Sequence, residues 1–348
     1  MTLRVGIIGL GRIGRGVIRA NYAQAPQGRF DIQAICDVMS VDQVAYLLAH
    51  DSTYGKPAFS VECDETHLIL DGKPILYRQV DRRRAVPEED SFGHLRAFDL
   101  DVVLDATGTA SVENLRALVE HGVAPKVVCT VNLPGCDLSL VYGVNHHAYD
   151  PEKHDVISAS TCTGNAVTPV LSILEKHIGI ENARLITIHP LLSDQRVLDG
   201  YHATSQLGRA CATSILPTRT QVARSAELVL PSLVGKLDSI SYRIPTTIVS
   251  ALDVTAYLSR ATTLDECIEL FTQYAQSPDM QGVLDCDFGA WGHEKASIDF
   301  LGSSYSVVML MNHLTLTHGR QLGIALMHDN EFAYCMRVLD VFGVLAKA

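Results

Sequence analysis

Gly9-Leu10-Gly11-Arg12-Ile13-Gly14 decides how the N-terminal third of this chain folds. The six residues follow the apolar run Leu3-Arg4-Val5-Gly6-Ile7-Ile8 and precede a helical stretch carrying Val17, Ile18 and Ala20. GxGxxG between a strand and a helix is the pattern of a dinucleotide-binding turn. Gly9 permits the tight turn, Gly11 lets a pyrophosphate approach the backbone, and Gly14 lets the helix pack closely on the strand. The pyrophosphate then meets the helix N-terminus, where unpaired N–H groups and the helix dipole favour an anion. A second strand, Ile32-Gln33-Ala34-Ile35-Cys36, ends at Asp37, near the ~20-residue spacing expected of the acid that binds the ribose hydroxyls. A carboxylate there favours NAD and repels the 2′-phosphate of NADP. No arginine follows in the next few positions to receive that phosphate.

The parallel pattern continues outward from this unit. Ser40 is placed to cap a helix through Val44, Leu47 and Leu48, and residues 67–70 and 74–77 read as a hairpin turning at Asp71-Gly72. Arg82-Arg83-Arg84 stands beside Pro87-Glu88-Glu89-Asp90 and reads as a solvated loop, because mixed charges make a poor polyanion site. A buried strand at 102–105 leads to Thr107, a helix spans 112–121, and strands follow at 127–130, ending in Thr130, and at 139–143. This order fits a doubly wound parallel sheet, in which Thr107 and Thr130 lie at carboxyl ends of strands, where such sheets bind ligands.

The second half is patterned differently. A strand at 184–189 ends in His189, and 190–216 is a long, weakly patterned segment of the kind that carries function. Strand-like runs at 239–244, 247–258 and 305–312, with a helix at about 264–276, suggest an α+β domain with an antiparallel sheet. The fold class expected is therefore α/β: a Rossmann doubly wound parallel sheet plus an α+β domain. No internal repeat or low-complexity tract is visible.

Composition narrows the function. Of 348 residues, 47% are hydrophobic and 19% charged, enough apolar surface for about two globular domains. The net charge of −11 argues against a general nucleic-acid surface. No apolar run approaches the ~20 residues of a membrane span, and the N-terminus shows no signal-peptide pattern. The nine cysteines are scattered, with no CxxC pair and no metal-ligand spacing. Reduced cytoplasmic thiols, with no bound metal, are the expectation.

One cysteine stands apart. Cys162 lies in Ser158-Ala159-Ser160-Thr161-Cys162-Thr163-Gly164-Asn165, after the apolar pair Val156-Ile157 and before the helical run Val167, Val170, Leu171, Leu174. A thiol at a strand-to-helix junction meets unpaired N–H groups and the positive end of a helix dipole, which favours thiolate, the nucleophilic form. Cysteine with NAD suggests aldehyde oxidation through a hemithioacetal and a thioester. That chemistry needs a base within hydrogen-bond reach of the sulfur, and His189, at a strand end before the irregular segment, is the candidate among fourteen histidines.

With these residues in hand, the chain resembles the phosphorylating glyceraldehyde-3-phosphate dehydrogenases and the related erythrose-4-phosphate dehydrogenases, essentially end to end. The stretches that carry the likeness are 9–15, 160–165, Thr187-Ile188-His189, Arg243-Ile244-Pro245-Thr246 and Asp329-Asn330-Glu331-Phe332. The resemblance implies Cys162 as nucleophile and His189 as its base. It implies a dinucleotide held by Arg12, Ile13 and Asp37, with Thr107 and Thr130 on the nicotinamide side, Asn330 on the carboxamide and Tyr334 packed nearby. It implies Arg243 on the substrate phosphate, and Thr161, Thr163 and Thr220 around inorganic phosphate. It also implies a homotetramer, with an NAD-binding domain at 1–160, a catalytic domain at 161–328, and a C-terminal helix at 329–348 returning to the first.

The chain departs from the family pattern in several places. Gly164 and Ala166 replace Thr and Cys after the nucleophile, Pro190-Leu191-Leu192 replaces Ala-Tyr-Thr, and Arg219 and Gln221 interrupt Pro-Thr-Ser-Thr-Gly. Leu192 cannot donate a hydrogen bond, so a phosphate contact worth roughly 1.5–3 kcal/mol is absent. Asp194-Gln195-Arg196-Val197-Leu198-Asp199-Gly200-Tyr201-His202 resembles the erythrose-4-phosphate branch, whose members tend to hydrolyse the thioester. The candidate substrates are thus glyceraldehyde 3-phosphate with inorganic phosphate, erythrose 4-phosphate with water, or another aldehyde in a divergent paralogue. A paralogue that binds NAD without turnover is the non-enzymatic alternative.

Overall fold

The computed structural model describes residues 2–23, 25, 28–83 and 92–347. The chain divides into two compact units. One comprises Met1–Leu140, Asn145–Ser160 and Cys335–Ala348; the other comprises Val141–Val144 and Thr161–Tyr334.

In chain order the first unit carries β1 (Arg4–Ile8), α1 (Arg12–Ala23), β2 (Asp31–Asp37), α2 (Val41–Ala49), β3 (Val61–Cys63), β4 (His67–Leu70), β5 (Lys73–Gln79), β6 (Val102–Asp105), α3 (Val112–Glu120), β7 (Lys126–Cys129), β8 (Leu138–Ser139) and β9 (Val156–Ser158). They form one sheet in the order β3-β4-β5-β2-β1-β6-β7-β9-β8. β1 pairs in parallel with β2 on one side and β6 on the other. The strand order therefore reverses at β1, and the crevice beyond its carboxyl end is where such sheets bind ligands. Val102, Val103 and Leu104 are fully buried, as expected of a strand covered on both faces. β4 and β5 pair antiparallel across Asp71 and Gly72, whose φ values of 47° and 76° are what a two-residue primed turn requires.

The structure corrects two expectations here. The strand read at 139–143 is only Leu138–Ser139, after which the chain turns; Leu140 and Val141 are apolar because they are buried. Arg82 is not solvated. Its guanidinium pairs with the buried Asp105 at 2.6 Å, and its side chain is 15% exposed. Arg83 is exposed and pairs with Asp81, while Arg84 and residues 87–90 lie outside the described residues.

The second unit carries α4 (Cys162–His177), β10 (Ile180–His189), β11 (Leu216–Thr218), α5 (Val222–Val229), β12 (Leu237–Arg243), β13 (Ser250–Leu258), α6 (Leu264–Ala275), β14 (Leu284–Asp287), β15 (Val307–Leu310), β16 (Thr315–Thr317) and β17 (Gln321–His328). Its sheet runs β11-β12-β10-β13-β17-β15-β14, with β16 on β17. The sheet is mixed: antiparallel through β10, β13 and β17, but parallel at β10/β12 and β14/β15. Leu185, Leu252, Val254, Ile324 and Leu326 share a core with Val167, Val170, Leu171 and Leu174 of α4. That apolar stripe on α4 fixes the helix on the sheet.

The last helix, α7 (Phe332–Leu345), is capped by Asp329, whose Oδ1 accepts from the N–H groups of Glu331 and Phe332. Its later residues belong to the first unit. Phe342 meets Phe30 edge to face at 5.5 Å, and Asp340 pairs with Arg29 at 2.9 Å.

Candidate active site

The glycine turn after β1 is shaped by contact. A Cβ on Gly14 would lie 2.0 Å from the Gly9 carbonyl oxygen, so only glycine lets α1 come this close. Gly9 has φ 95° and abuts the Thr107 backbone. A Cβ on Gly11 would meet nothing within 4 Å, so that position opens on free space. A cleft with about 320 Å³ of free volume is lined there by Gly9, Gly11, Asp37, Met39, Arg82, Phe92 and Thr107.

Asp37 does two things at the cleft. Its carboxylate accepts from the Leu10 N–H, and from the Met39 N–H at 2.8 Å, tying the glycine turn to the end of β2. Asp105, at the end of β6, organises the opposite wall. It accepts from the Thr107 hydroxyl at 2.7 Å and from Arg82, and its carbonyl accepts from the Thr130 N–H at 3.2 Å. Thr107 and Thr130 are thus brought together by one residue. The Arg12 guanidinium pairs with the buried Asp51 carboxylate at 2.6 Å. Ile13 follows it in the first turn of α1. Arg82 was not foreseen as a cleft residue, nor Asp105 as its partner, because their pairing joins positions far apart in sequence.

In the second unit, Cys162 is the first residue of α4. The preceding Ser160 has φ 59°, a left-handed conformation that costs a non-glycine residue about 1–2 kcal/mol. Thr161 caps the helix, its hydroxyl accepting from the Gly164 N–H at 3.0 Å, with Ser225 Oγ at 3.3 Å. Its carbonyl accepts from the Asn165 N–H at 2.9 Å. The Cys162 sulfur lies 3.7 Å from the Thr163 hydroxyl.

The helix terminus is not the largest influence on the Cys162 thiol. Burial pushes the Cys162 thiol above its ordinary value, and the charge of Glu331 adds to this. The Thr163 hydroxyl and the first backbone N–H groups oppose it without prevailing. Desolvation of an anion outweighs the helix dipole, contrary to the sequence expectation.

The sheet edge supplies the other groups. His189 ends β10 and pairs in register with Arg243, the last residue of β12. On the other side Ile188 pairs with Ala251, which brings Ser250 beside His189, and Ser250 pairs with His328 of β17. Arg243, His189, Ser250 and His328 thus form one row across four strands. Burial, with the Arg243 charge, lowers the His189 pKa, while its hydrogen bond with the Pro190 carbonyl and the Asp194 carboxylate act the other way. His328 is fully buried and held at about 3 by burial and by His189, so it is neutral. Its Nε2 and the Ser250 hydroxyl have no hydrogen-bond partner. Neither residue was singled out from the sequence.

Arg243 is not a bare cation. It donates to Asp194 at 2.5 Å and approaches Gln195 Oε1 at 3.5 Å. Gln195 in turn accepts from the Leu192 N–H at 3.0 Å, while the Leu192 side chain is exposed. Thr163 is buried, Thr220 half-buried and Arg219 exposed. Gln221 precedes α5 without capping it by its side chain, although its carbonyl accepts from Ser225 Oγ at 3.0 Å. Asn330 is 5% exposed, and its Oδ1 has no partner, leaving an acceptor free for a ligand amide. Tyr334, four residues on, is buried.

Comparison with known proteins identifies the family. Residues 3–113 match the NAD binding domain of glyceraldehyde 3-phosphate dehydrogenase, and residues 161–330 match its C-terminal domain. The chain is 32% identical to glyceraldehyde-3-phosphate dehydrogenase of Geobacillus stearothermophilus, over 100% of this chain and 99% of that protein. It is 34% identical to that of Kitasatospora aureofaciens, over 99% of each. It is 32% identical to glyceraldehyde-3-phosphate dehydrogenase 2 of Bacillus subtilis, over 98% of this chain and 96% of that protein. The chain belongs to the glyceraldehyde-3-phosphate dehydrogenase family and is an NAD-dependent dehydrogenase.

Proposed function

We propose that this member of the family oxidises a small phosphorylated aldehyde, D-glyceraldehyde 3-phosphate in the first instance, through a covalent intermediate on Cys162. The observation that carries the reading is the in-register pairing of His189 with Arg243 at the sheet edge, a base beside a phosphate-binding cation. The residues fit the cofactor: an open glycine position, the Asp37 carboxylate, and the unpartnered Asn330 Oδ1 match the pyrophosphate, the ribose and the carboxamide. Bound NAD supplies the hydride acceptor.

The remaining steps belong to side chains. The Cys162 thiol passes its proton to neutral His189 as sulfur attacks the aldehyde carbon. The protonated imidazole then donates a hydrogen bond to the developing oxyanion, which is where stabilisation counts most. Loss of hydride from the hemithioacetal leaves a thioester on Cys162. Inorganic phosphate, met by Thr161, Thr163 and Thr220, attacks that carbonyl and releases the acyl phosphate. Residues 1–160 are assigned NAD binding, 161–328 catalysis, and 329–348 a C-terminal helix that returns to the NAD-binding domain. A cytoplasmic homotetramer completes the proposal.

One observation favours a second substrate. Leu192 offers no hydroxyl, and Asp194 and Gln195, in the stretch that resembles the erythrose-4-phosphate branch, lie against Arg243. Hydrolysis of the thioester fits this better than phosphorolysis. The discriminating assay follows NAD reduction with glyceraldehyde 3-phosphate, erythrose 4-phosphate and unphosphorylated aldehydes, each with and without phosphate. A strict phosphate requirement supports acyl-phosphate formation. Cys162→Ser should abolish turnover with every substrate, and full activity in that variant would refute the covalent route.

A further inference from the structure

Two of the nine free cysteines, neither of them Cys162, lie against each other. Cys129 ends β7 and is buried; Cys136 is half-buried in the turn before β8. Their sulfurs are 4.0 Å apart. We propose that Cys129 and Cys136 form a reversible disulfide, a redox modification site that acts on the loop beginning at Thr130.

The geometry suits this. A disulfide needs its sulfurs at about 2.05 Å, so closure requires an approach of roughly 2 Å. Cys129 is held, its carbonyl accepting from the Ala159 N–H at 2.9 Å. On the far side, Arg116 grips the turn through the Gly135 carbonyl at 2.7 Å and Asp137 at 2.6 Å. Closure therefore pulls on residues 130–135, whose first member, Thr130, donates its N–H to the Asp105 carbonyl at 3.2 Å and whose second, Val131, accepts from the Ser158 hydroxyl at 2.8 Å.

The two thiols are unequal. Cys136 is the accessible one. Hydrogen bonding from Cys129 and the nearby Arg116 charge lower its pKa, whereas that same contact and burial raise that of Cys129. With a low-molecular-weight disulfide such as glutathione disulfide as oxidant, the Cys136 thiolate attacks one of its sulfurs and releases one glutathione thiolate. Cys129 then loses its proton and attacks the Cys136 sulfur of the mixed disulfide, releasing the second glutathione. The protein gives up two electrons and two protons, and one glutathione disulfide leaves as two thiols.

The test uses the full-length Cys162→Ser protein, so that the proposed nucleophile does not compete. Lys126 and Lys153 bound one tryptic peptide holding both cysteines. After exposure to glutathione disulfide and alkylation of remaining thiols, that peptide should carry no alkyl group and lack two hydrogens; dithiothreitol should restore two alkylatable thiols. Adding Cys136→Ser should leave Cys129 reduced under the same exposure. Two alkylated cysteines, or glutathione retained on Cys136 with Cys129 alkylated, would overturn the disulfide. The second readout rests on Thr130 flanking the dinucleotide: bridging should change the Kd for NAD about fivefold or more, the lower range of coupling between sites. An unchanged Kd in fully bridged protein would overturn the action on the Thr130 loop, whereas the peptide mass does not depend on that reading.

Discussion

Replacing Thr161 by valine keeps the side-chain shape and deletes one hydroxyl, and the consequences can be followed atom by atom. The hydroxyl oxygen accepts from the Gly164 N–H at 3.0 Å. Gly164 is buried, so water does not replace that bond. Loss of a threonine cap costs about 0.5–2 kcal/mol, and an orphaned buried donor about 1–3 kcal/mol. These describe the same lost contact, so the expected cost is about 1–2 kcal/mol and not their sum. The Asn165 N–H and Nδ2 bond to the Thr161 backbone carbonyl, at 2.9 and 3.0 Å, and survive the change. The helix should persist while its first turn, which carries Cys162, opens more often.

The assay is hydrogen exchange of a peptide covering 161–166. An opening made easier by about 1–2 kcal/mol raises exchange roughly 5–30-fold. Thr161→Ser keeps the acceptor and should exchange like the parent. The hydroxyl hydrogen is a separate matter. With the oxygen engaged by Gly164, that hydrogen is the group left to donate to an anion, or to Ser225 Oγ. If it donates to inorganic phosphate, valine removes a charge-assisted bond and raises the phosphate KM about 10–100-fold, again with serine near parental. Equal exchange in the valine, serine and parental proteins would refute the assignment of Thr161 as the cap.

Two glycine substitutions should separate fold from cofactor. Gly14→Ala forces a Cβ to within 2.0 Å of the Gly9 carbonyl oxygen and should cost about 1–3 kcal/mol or more, read as a lower Tm without NAD. Gly11→Ala meets no protein atom within 4 Å, so its Tm should stay put while NAD affinity falls. Activity should also depend on pH in a defined direction. His189 must be neutral to accept the thiol proton, and burial with Arg243 places its pKa below 6.5, against the opposing Asp194; His328 beside it stays uncharged. Rate is therefore retained above that lowered pKa and lost as pH falls through it, so the acid limb of kcat/KM should lie below 6.5. Arg243→Gln removes a lowering charge and should move that limb upward; an unmoved limb would refute the coupling between the two residues.

Most of the first sheet is legible in the sequence because its signals are local. Parallel strands buried on both faces read as short apolar runs, and the glycine turn, Ser40 and Asp71-Gly72 mark where they begin and end. What escapes is set by partners distant along the chain. Arg82 reads as solvated among its acidic neighbours until β6 brings Asp105 beneath it. β17 lies inside the second sheet; His318-Gly319, at φ 51° and 67°, turns the chain into it from β16, but its other partner β13 lies far upstream.

The same distinction governs the candidate site. Cys162 and His189 are legible singly, one at a helix start and one at a strand end. Their protonation states are not, because these depend on what packs around them. A terminal helix turn argues for thiolate, but burial and the charge of Glu331 push the thiol the other way. A histidine at a strand end has no predictable pKa until the register puts Arg243 on one side and a neutral His328 beyond Ser250 on the other. Both shifts, a thiol pushed up and an imidazole pushed down, arise from partners that only the folded chain assembles, so neither can be read from the local sequence that announces the two residues.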